Sequence, residues 1–314
     1  MIRPLPLRPG DVVRVVAPSG PFDVEQFELG LAILRDRFGL VPRMRPDVTA
    51  RNGYLAGDDA RRAEEWAEAA RDPEARAIWC ARGGYGAMRI LPRLEPARVL
   101  HPPKWVIGFS DVTAIHAALN GAGLATVHGP MVAFLARTPP AALDHLEALL
   151  FGRARRPAGG GAPGPGAGVA GTGVIRPGVA SGPLLGGSLT LLSHLVGTRW
   201  LPRLAGAVLF LEDVGEEPYK LDRYLTHLRL SGALDGVRAV CLGQFSASDK
   251  DGISALDTVR GLVRALGVPA IEGLPSGHER DNHALLLGAV AHVVAPAPGE
   301  PGVPRLVFES GAVA

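Results

Sequence analysis

The sequence has few cysteines, few aromatic side chains and no marked excess of charge of one sign. Its two cysteines, Cys80 and Cys241, lie far apart and without the spacing of a metal site, so they predict buried thiols in a reducing compartment and no disulfide framework. The 33 basic and 31 acidic residues form no basic stripe. We therefore expect no nucleic-acid partner.

Long hydrophobic runs are also missing. No stretch approaches the roughly 18 apolar residues of a membrane span, and the first residues, MIRPLPLRPGD, lack the apolar core of a signal peptide. A hydrophobic content of 47% with 20% charged residues is typical of a globular chain. These features predict a cytoplasmic protein that does not enter a membrane.

The first half of the chain alternates strand patterns with helix patterns. Such alternation predicts an α/β fold with a parallel sheet covered on both faces, and such sheets bind ligands beyond the carboxyl ends of their strands. Two loops are predicted at such ends: RGGYG at 82–86 and GFSD at 108–111.

A glycine- and proline-rich segment divides the sequence. Residues 153–182 are of low complexity, which predicts a linker, or equally an ordinary surface loop, without a packed element of its own. The predicted organisation is an N-terminal α/β domain over 1–152, the linker, and a smaller C-terminal α/β domain over 183–314.

The stretch GFSDVT, residues 108–113, follows the strand pattern KWVI and has two interpretations. Ser110 and Asp111 could cap the following helix, because a side-chain oxygen there accepts free backbone N–H groups. Alternatively, a serine on a tight strand-to-helix turn exposes its hydroxyl as a nucleophile. These six residues leave both interpretations open.

Three other stretches contain residue types that carry chemistry. RGGYG could cradle an anion, serve as an oxyanion hole or be a tight turn. In LEDVGEE, Glu212 and Asp213 follow a strand pattern and point to opposite faces, so one could face a cleft; both could instead decorate a helix N-terminus. In HERDNH the histidines are five residues apart, which does not fit a zincin motif, and His278 is an accessible loop histidine.

Four stretches resemble, in order, the motifs of the LD-carboxypeptidases, serine peptidase family S66: RGGYG, GFSDVT, LEDVGEEPYKLDR and GHERDN. That family includes murein tetrapeptide carboxypeptidases and microcin C self-immunity peptidases. The resemblance implies a flavodoxin-like or class I glutamine amidotransferase-like N-terminal domain and a smaller C-terminal domain, as a homodimer. It also implies that no cofactor or metal takes part.

The resemblance assigns a role to each matching position. Ser110 matches the nucleophile, Glu212 the triad acid and His278 the general base, while the backbone N–H groups of Gly84 and Asp111 match the oxyanion hole. The expected activity is hydrolysis of an L,D peptide bond, releasing the terminal D-alanine of a murein tetrapeptide.

Two rival functions remain open at this point. One is an immunity-type peptidase that cleaves peptidyl or aminoacyl adenylates. The other is a non-catalytic protein that binds a peptide or nucleotide, in which Ser110 is only a helix cap.

Overall fold

The structure is a computed structural model that describes residues 1–152, 168–246 and 249–309. The chain forms two mixed sheets flanked by helices. The strands in chain order are β1 (Val12–Val16), β2 (Val41–Arg43), β3 (Ala75–Cys80), β4 (Trp105–Gly108), β5 (Thr126–His128), β6 (Gly168–Ala170), β7 (Gly173–Arg176), β8 (Gly178–Ser188), β9 (Val208–Val214), β10 (Ala239–Ser246), β11 (Ala270–Glu272), β12 (Leu285–Leu287), β13 (Val290–Ala295) and β14 (Arg305–Phe308).

Helices connect most of these strands, and several begin at side-chain caps. Asp58 accepts a hydrogen bond from the backbone N–H of Arg61 and so caps the helix that begins at Asp59. The α-helices are α1 (Val24–Ala32), α2 (Asp59–Arg71), α3 (Ala87–Ile90), α4 (Pro96–Leu100), α5 (Thr113–Gly121), α6 (Val132–Leu135), α7 (Pro140–Phe151), α8 (Leu189–Leu195), α9 (Pro218–Leu230) and α10 (Ala255–Ala265). None of the helices in the described ranges is long and apolar enough to cross a bilayer.

The first sheet has the strand order β12-β5-β4-β3-β1-β2. Its five strands from the first half of the chain are parallel, as predicted. The central strands β3 and β4 are almost entirely buried, as expected for a parallel sheet covered on both faces. The edge strand β12 comes from the second half of the chain and pairs antiparallel with β5. The predicted C-terminal part therefore contributes a strand to the first sheet.

The second sheet has the order β6-β14-β13-β8-β9-β10-β11-β7. Strands β8 to β11 are parallel, and antiparallel strands extend both edges. Val127 of the first sheet and Phe210 of the second belong to one continuous apolar cluster. The predicted α/β class with two sheets is thus confirmed, and the two sheets share part of their core.

The prediction that 153–182 contains no packed element is wrong for the part that the structure describes. Residues 153–167 lie outside the described residues, but 168–182 form β6, β7 and the first half of β8. The glycines here allow close approach of another backbone: a Cβ on Gly182 would lie 2.2 Å from the carbonyl oxygen of Gly206. Glycine content alone does not distinguish this use from a flexible linker.

Candidate active site

Ser110 lies on a strained turn between β4 and α5. Its φ is +63°, a left-handed conformation that is costly for a residue with a Cβ. Neither the short 3₁₀ turn Ser110–Val112 nor α5 receives a side-chain cap. The helix-cap interpretation of Ser110 is therefore wrong, and the turn has the backbone strain of a nucleophile elbow.

Close packing and a buried histidine fix this turn. A Cβ on Gly108 would lie 2.9 Å from Cγ1 of Val112, so the strand must end in glycine. His116 Nε2 lies 2.9 Å from the carbonyl oxygen of Gly108. Burial lowers the pKa of His116 to about 4, so the ring is neutral and donates through Nε2. His116 thus holds the end of β4.

The RGGYG loop packs directly against the serine. A Cβ on Gly83 would lie 2.9 Å from Cβ and 3.2 Å from Oγ of Ser110, a space that only glycine leaves open. Gly84, the next residue, has φ +105°, which also favours glycine. The loop and the serine turn lie at carboxyl ends of parallel strands, as the sequence predicted, and the structure places them in contact.

Asp111 links the same two loops. Its Oδ2 accepts a hydrogen bond of 2.7 Å from the backbone N–H of Ala87, at the start of α3. The carboxyl is buried, and this burial raises its pKa. The Asp111 side chain therefore caps α3, and not the helix that follows it in sequence.

His278 and Glu212 form a hydrogen-bonded pair. Nδ1 of His278 lies 2.6 Å from Oε2 of Glu212, and Glu212 is fully buried near the end of β9. Burial alone lowers the pKa of His278, but the charge and hydrogen bond of Glu212, with the charge of Asp213, raise it above its ordinary value. The carboxylate thus fixes which ring nitrogen carries the proton and stabilises the imidazolium.

The His278 loop touches the serine turn. The ring of Phe109, the residue before Ser110, contacts the His278 ring edge to face at 5.0 Å between centroids. Gln244 holds the loop through two bonds, accepting from the N–H of Glu279 and donating to the carbonyl of Asp281. The structure therefore brings together the serine turn from the first half and the histidine and glutamate from the second.

Asp213 points to the other side of β9, as the strand alternation predicted. Its Oδ2 accepts from the N–H and the hydroxyl of Thr190 at the start of α8, each at 2.8 Å. Burial and the charge of Glu212 raise its pKa to about 6. These bonds hold α8 to β9, and they do not involve the histidine loop.

Sequence reasoning missed a contact that joins the start of α5 to the end of β8. Thr113 Oγ1 accepts a hydrogen bond of 3.1 Å from the N–H of Ser188, which is the register partner of Glu212 on β9. A Cβ on Gly187 would lie 2.5 Å from Thr113 Oγ1, so glycine is needed there. The adjacent glycines in PLLGGS indicate that another group packs closely there, but the sequence does not identify Thr113 as that group.

The described residues give little support to two other kinds of chemistry, a cysteine nucleophile and a metal site. Burial raises the pKa of both thiols, Cys80 and Cys241, which makes them poor nucleophiles. Within residues 1–152, 168–246 and 249–309, no group of three or more histidine, cysteine, aspartate or glutamate side chains is arranged to hold a metal ion.

A cavity of about 130 Å³ opens beside His278. Its walls come from two segments, residues 130–138 before α7 and the histidine loop itself. The side chains include Phe134, Arg137, Thr138, Glu279, Arg280 and Asn282. A small ligand in this cavity would lie against the imidazole.

The chain is similar to two carboxypeptidases and to a self-immunity protein. The murein tetrapeptide carboxypeptidase of Pseudomonas aeruginosa is 34% identical over 286 residues, covering 89% of this chain and 92% of its own. The crystal structure of muramoyltetrapeptide carboxypeptidase from Oxalobacter formigenes superposes with a TM-score of 0.81 at 28% identity, covering 95% and 98% of the two chains. The microcin C7 self-immunity protein of Escherichia coli is 26% identical over 322 residues, 90% of each chain.

Two family profiles divide the chain where the two halves of the site lie. Residues 13–129, which contain Ser110, match the LD-carboxypeptidase N-terminal domain. Residues 181–293, which contain Glu212 and His278, match the LD-carboxypeptidase C-terminal domain. The chain therefore belongs to the LD-carboxypeptidase family, peptidase family S66.

Proposed function

We propose that the chain releases the terminal D-alanine of a murein tetrapeptide by hydrolysing the L,D peptide bond before it. The observation that carries this proposal is the 2.6 Å pair of His278 and Glu212 beside the strained turn of Ser110. The murein tetrapeptide carboxypeptidase relative supports the choice of substrate.

In the proposed acylation, Ser110 Oγ attacks the scissile carbonyl carbon while His278 Nε2 takes its proton. Glu212 accepts the Nδ1–H bond and so leaves Nε2 free to act as the base. The backbone N–H groups of Gly84 and Asp111 would donate to the developing oxyanion. Collapse of the tetrahedral intermediate breaks the C–N bond, and His278 gives the proton to the amine of the departing D-alanine.

Deacylation repeats these roles with water as the nucleophile. His278 takes a proton from a water molecule, the hydroxide attacks the ester carbonyl, and the proton returns to Ser110 Oγ as the tripeptide leaves. The fixed position of the imidazole between Glu212 and the ring of Phe109 suits both steps, because the same nitrogen must face first the serine and then the water.

The test is D-alanine release from purified murein tetrapeptide, followed by mass spectrometry. We expect release by the parent and a loss of several orders of magnitude in Ser110→Ala, Glu212→Ala and His278→Ala. The matched control is His292→Ala, because His292 also pairs with a glutamate, Glu309 at 3.3 Å, but on β13 and with its side chain 38% exposed. Full activity of Ser110→Ala would exclude the mechanism.

The second candidate is cleavage of aminoacyl adenylates, which the 26% identity to the microcin C7 self-immunity protein favours. Its test uses the same proteins with an aminoacyl sulfamoyl adenosine. Cleavage of this compound, with no D-alanine released from the tetrapeptide, would replace the first proposal by this one.

The resemblance of the motifs also supports a homodimer, and the two buried free thiols support a cytoplasmic location. Equilibrium sedimentation at the concentration of the assay tests the first. Cell fractionation with an antibody tests the second. A monomer, or recovery outside the cytoplasm, would contradict the respective statement.

A further inference from the structure

Two arginines face the cavity beside His278. Arg137 approaches it from the segment before α7, and Arg280 from the histidine loop. Both side chains are exposed to solvent. Their charges exceed that of Glu279, the one acidic side chain among the cavity-lining residues in the described ranges, so the cavity has a net positive charge.

Arg137 is fixed relative to the serine turn. Its guanidinium carbon lies 4.0 Å from the centroid of the Phe134 ring, a cation–π contact. The Phe134 ring contacts Phe109 edge to face at 5.2 Å, and Phe109 precedes Ser110 in the chain. A series of packed aromatic rings thus connects this cation to the proposed nucleophile.

Neither arginine is neutralised. Several other arginines of the chain form ion pairs, such as Arg61 with Glu65 at 3.0 Å and Arg89 with Asp59 at 2.8 Å. In contrast, the described part of the chain provides no carboxylate partner for Arg137 or Arg280. Two guanidinium groups are therefore available to bind an anion in the cavity.

We propose that Arg137, with Arg280 beside it, binds the free carboxylate of the residue that the enzyme releases. This inference rests on the proposed function. His278 must protonate the amine of the departing residue, and in any α-amino acid the carboxylate is only two covalent bonds from that amine. The receptor for the carboxylate must therefore lie next to His278, where both arginines are found.

The chemistry of the guanidinium agrees with this assignment. Its planar pair of N–H donors matches the two oxygens of a carboxylate, which a lysine ammonium cannot do. Stacking on Phe134 leaves the edge of the Arg137 guanidinium free to donate while the face is covered. The site would select peptides that end in a free carboxylate over peptides that continue or end in an amide.

The experiment compares a peptide ending in L-lysyl-D-alanine with the same peptide as its C-terminal amide. We expect the parent to favour the acid, and Arg137→Ala to lose about 10- to 100-fold in kcat/KM on the acid alone, the range of a lost hydrogen bond to a charged group. Arg137→Lys should recover part of the loss. Arg280→Ala should show a smaller loss of the same kind.

The matched control is Arg223→Ala. Arg223 is also exposed and stacks on an aromatic ring, Tyr219 at 5.2 Å, but it does not line the cavity. Its acid-to-amide ratio should equal that of the parent. An unchanged ratio in folded Arg137→Ala would overturn the proposal.

A binding measurement separates this inference from the proposed reaction. In the Ser110→Ala background, calorimetry should show tighter binding of the acid than of the amide, and a second change, Arg137→Ala, should abolish that difference. Selective binding of the acid by Ser110→Ala, with no turnover by the parent, would support the carboxylate site and exclude the proposed function. Equal binding of acid and amide to Ser110→Ala would overturn the carboxylate site.

Discussion

His278 Nδ1 lies 2.6 Å from Oε2 of the fully buried Glu212. A charge at this depth is costly unless it is paired, and His278 is the partner that the structure provides. The pair therefore holds the imidazole in one orientation and raises its pKa above the ordinary value, although burial acts in the opposite direction.

The first prediction concerns Glu212→Gln. Because His278 acts as a base only when neutral, parent activity should rise with pH through a pKa above 6.5. The variant loses the carboxylate but keeps the burial, so the acidic limb should move to lower pH while kcat falls on the order of 10³- to 10⁴-fold. Profiles of kcat/KM against pH, with His278 titrated by NMR, measure both effects.

A second readout of this change is stability. A folded-state pKa above the unfolded value stabilises the protein fully below the unfolded pKa, and this contribution is lost as pH rises through the folded pKa. The Glu212→Gln protein should lack this loss near and above pH 6.5. An acidic limb at the same pH in parent and variant would contradict the assignment of Glu212.

The second prediction concerns Gly83→Ala. The new Cβ would lie 2.9 Å from Cβ of Ser110, so the loop or the serine must move. We expect kcat to fall by about 100-fold or more, since small displacements of reacting groups have effects of this size. Steady-state kinetics on the tetrapeptide measure the fall.

The control for this change is Gly261→Ala. Gly261 lies within α10, and no atom is within 4 Å of the Cβ that alanine would add. Activity should be unchanged and the free energy of unfolding should rise by up to about 1 kcal/mol, because alanine favours the helix. Equal kinetics for Gly83→Ala and Gly261→Ala would show that the RGGYG loop does not position the serine.

The third prediction separates strain from chemistry at Ser110. Both Ser110→Ala and Ser110→Gly should be inactive, but only glycine relieves the φ of +63°. Glycine gains from the relieved strain but loses more conformational entropy on folding. The net difference in unfolding free energy should favour Ser110→Gly over Ser110→Ala by about 0.5–1 kcal/mol. Urea unfolding of the two inactive proteins makes the comparison, and equal midpoints would contradict strain at this residue.

The sequence was sufficient for the local parts of the site. Strand patterns located β3, β4 and β9, and the motifs at their ends named Ser110 and Glu212. These features depend on short-range alternation and turn chemistry, which a single sequence records.

Features that depend on distant segments could not be predicted. The pairing of β12 with β5 joins segments that are far apart in the chain, and so does the bond between Thr113 and Ser188. The strands in the glycine-rich segment escaped prediction for the same reason, since the backbone that lies against Gly182 belongs to Gly206. The left-handed φ of Ser110 could likewise not be predicted, because serine as a residue type does not favour that conformation.

The last prediction concerns the buried carboxyl of Asp213. Burial, with the charge of Glu212, raises its pKa from 3.8 to about 6, although the bonds from Thr190 and Val214 oppose the shift. The folded state therefore binds this proton more tightly than the unfolded chain does. The resulting stabilisation is fully present below pH 3.8 and is lost as pH rises through about 6.

The Asp213→Asn protein lacks this titration. Relative to the variant, the parent should lose about 3 kcal/mol of unfolding free energy between roughly pH 4 and pH 7, on top of a constant difference from the altered bond to Thr190. Asp47→Asn is the control of opposite sign, because hydrogen bonding to Arg45 lowers the pKa of Asp47, so the parent should lose stability relative to that variant as pH falls below 3.8 through the folded pKa. Urea unfolding of the three proteins from below pH 3.8 to above pH 6 tests both signs, and parallel curves for the parent and Asp213→Asn would show that the folded protein does not hold the Asp213 proton more tightly.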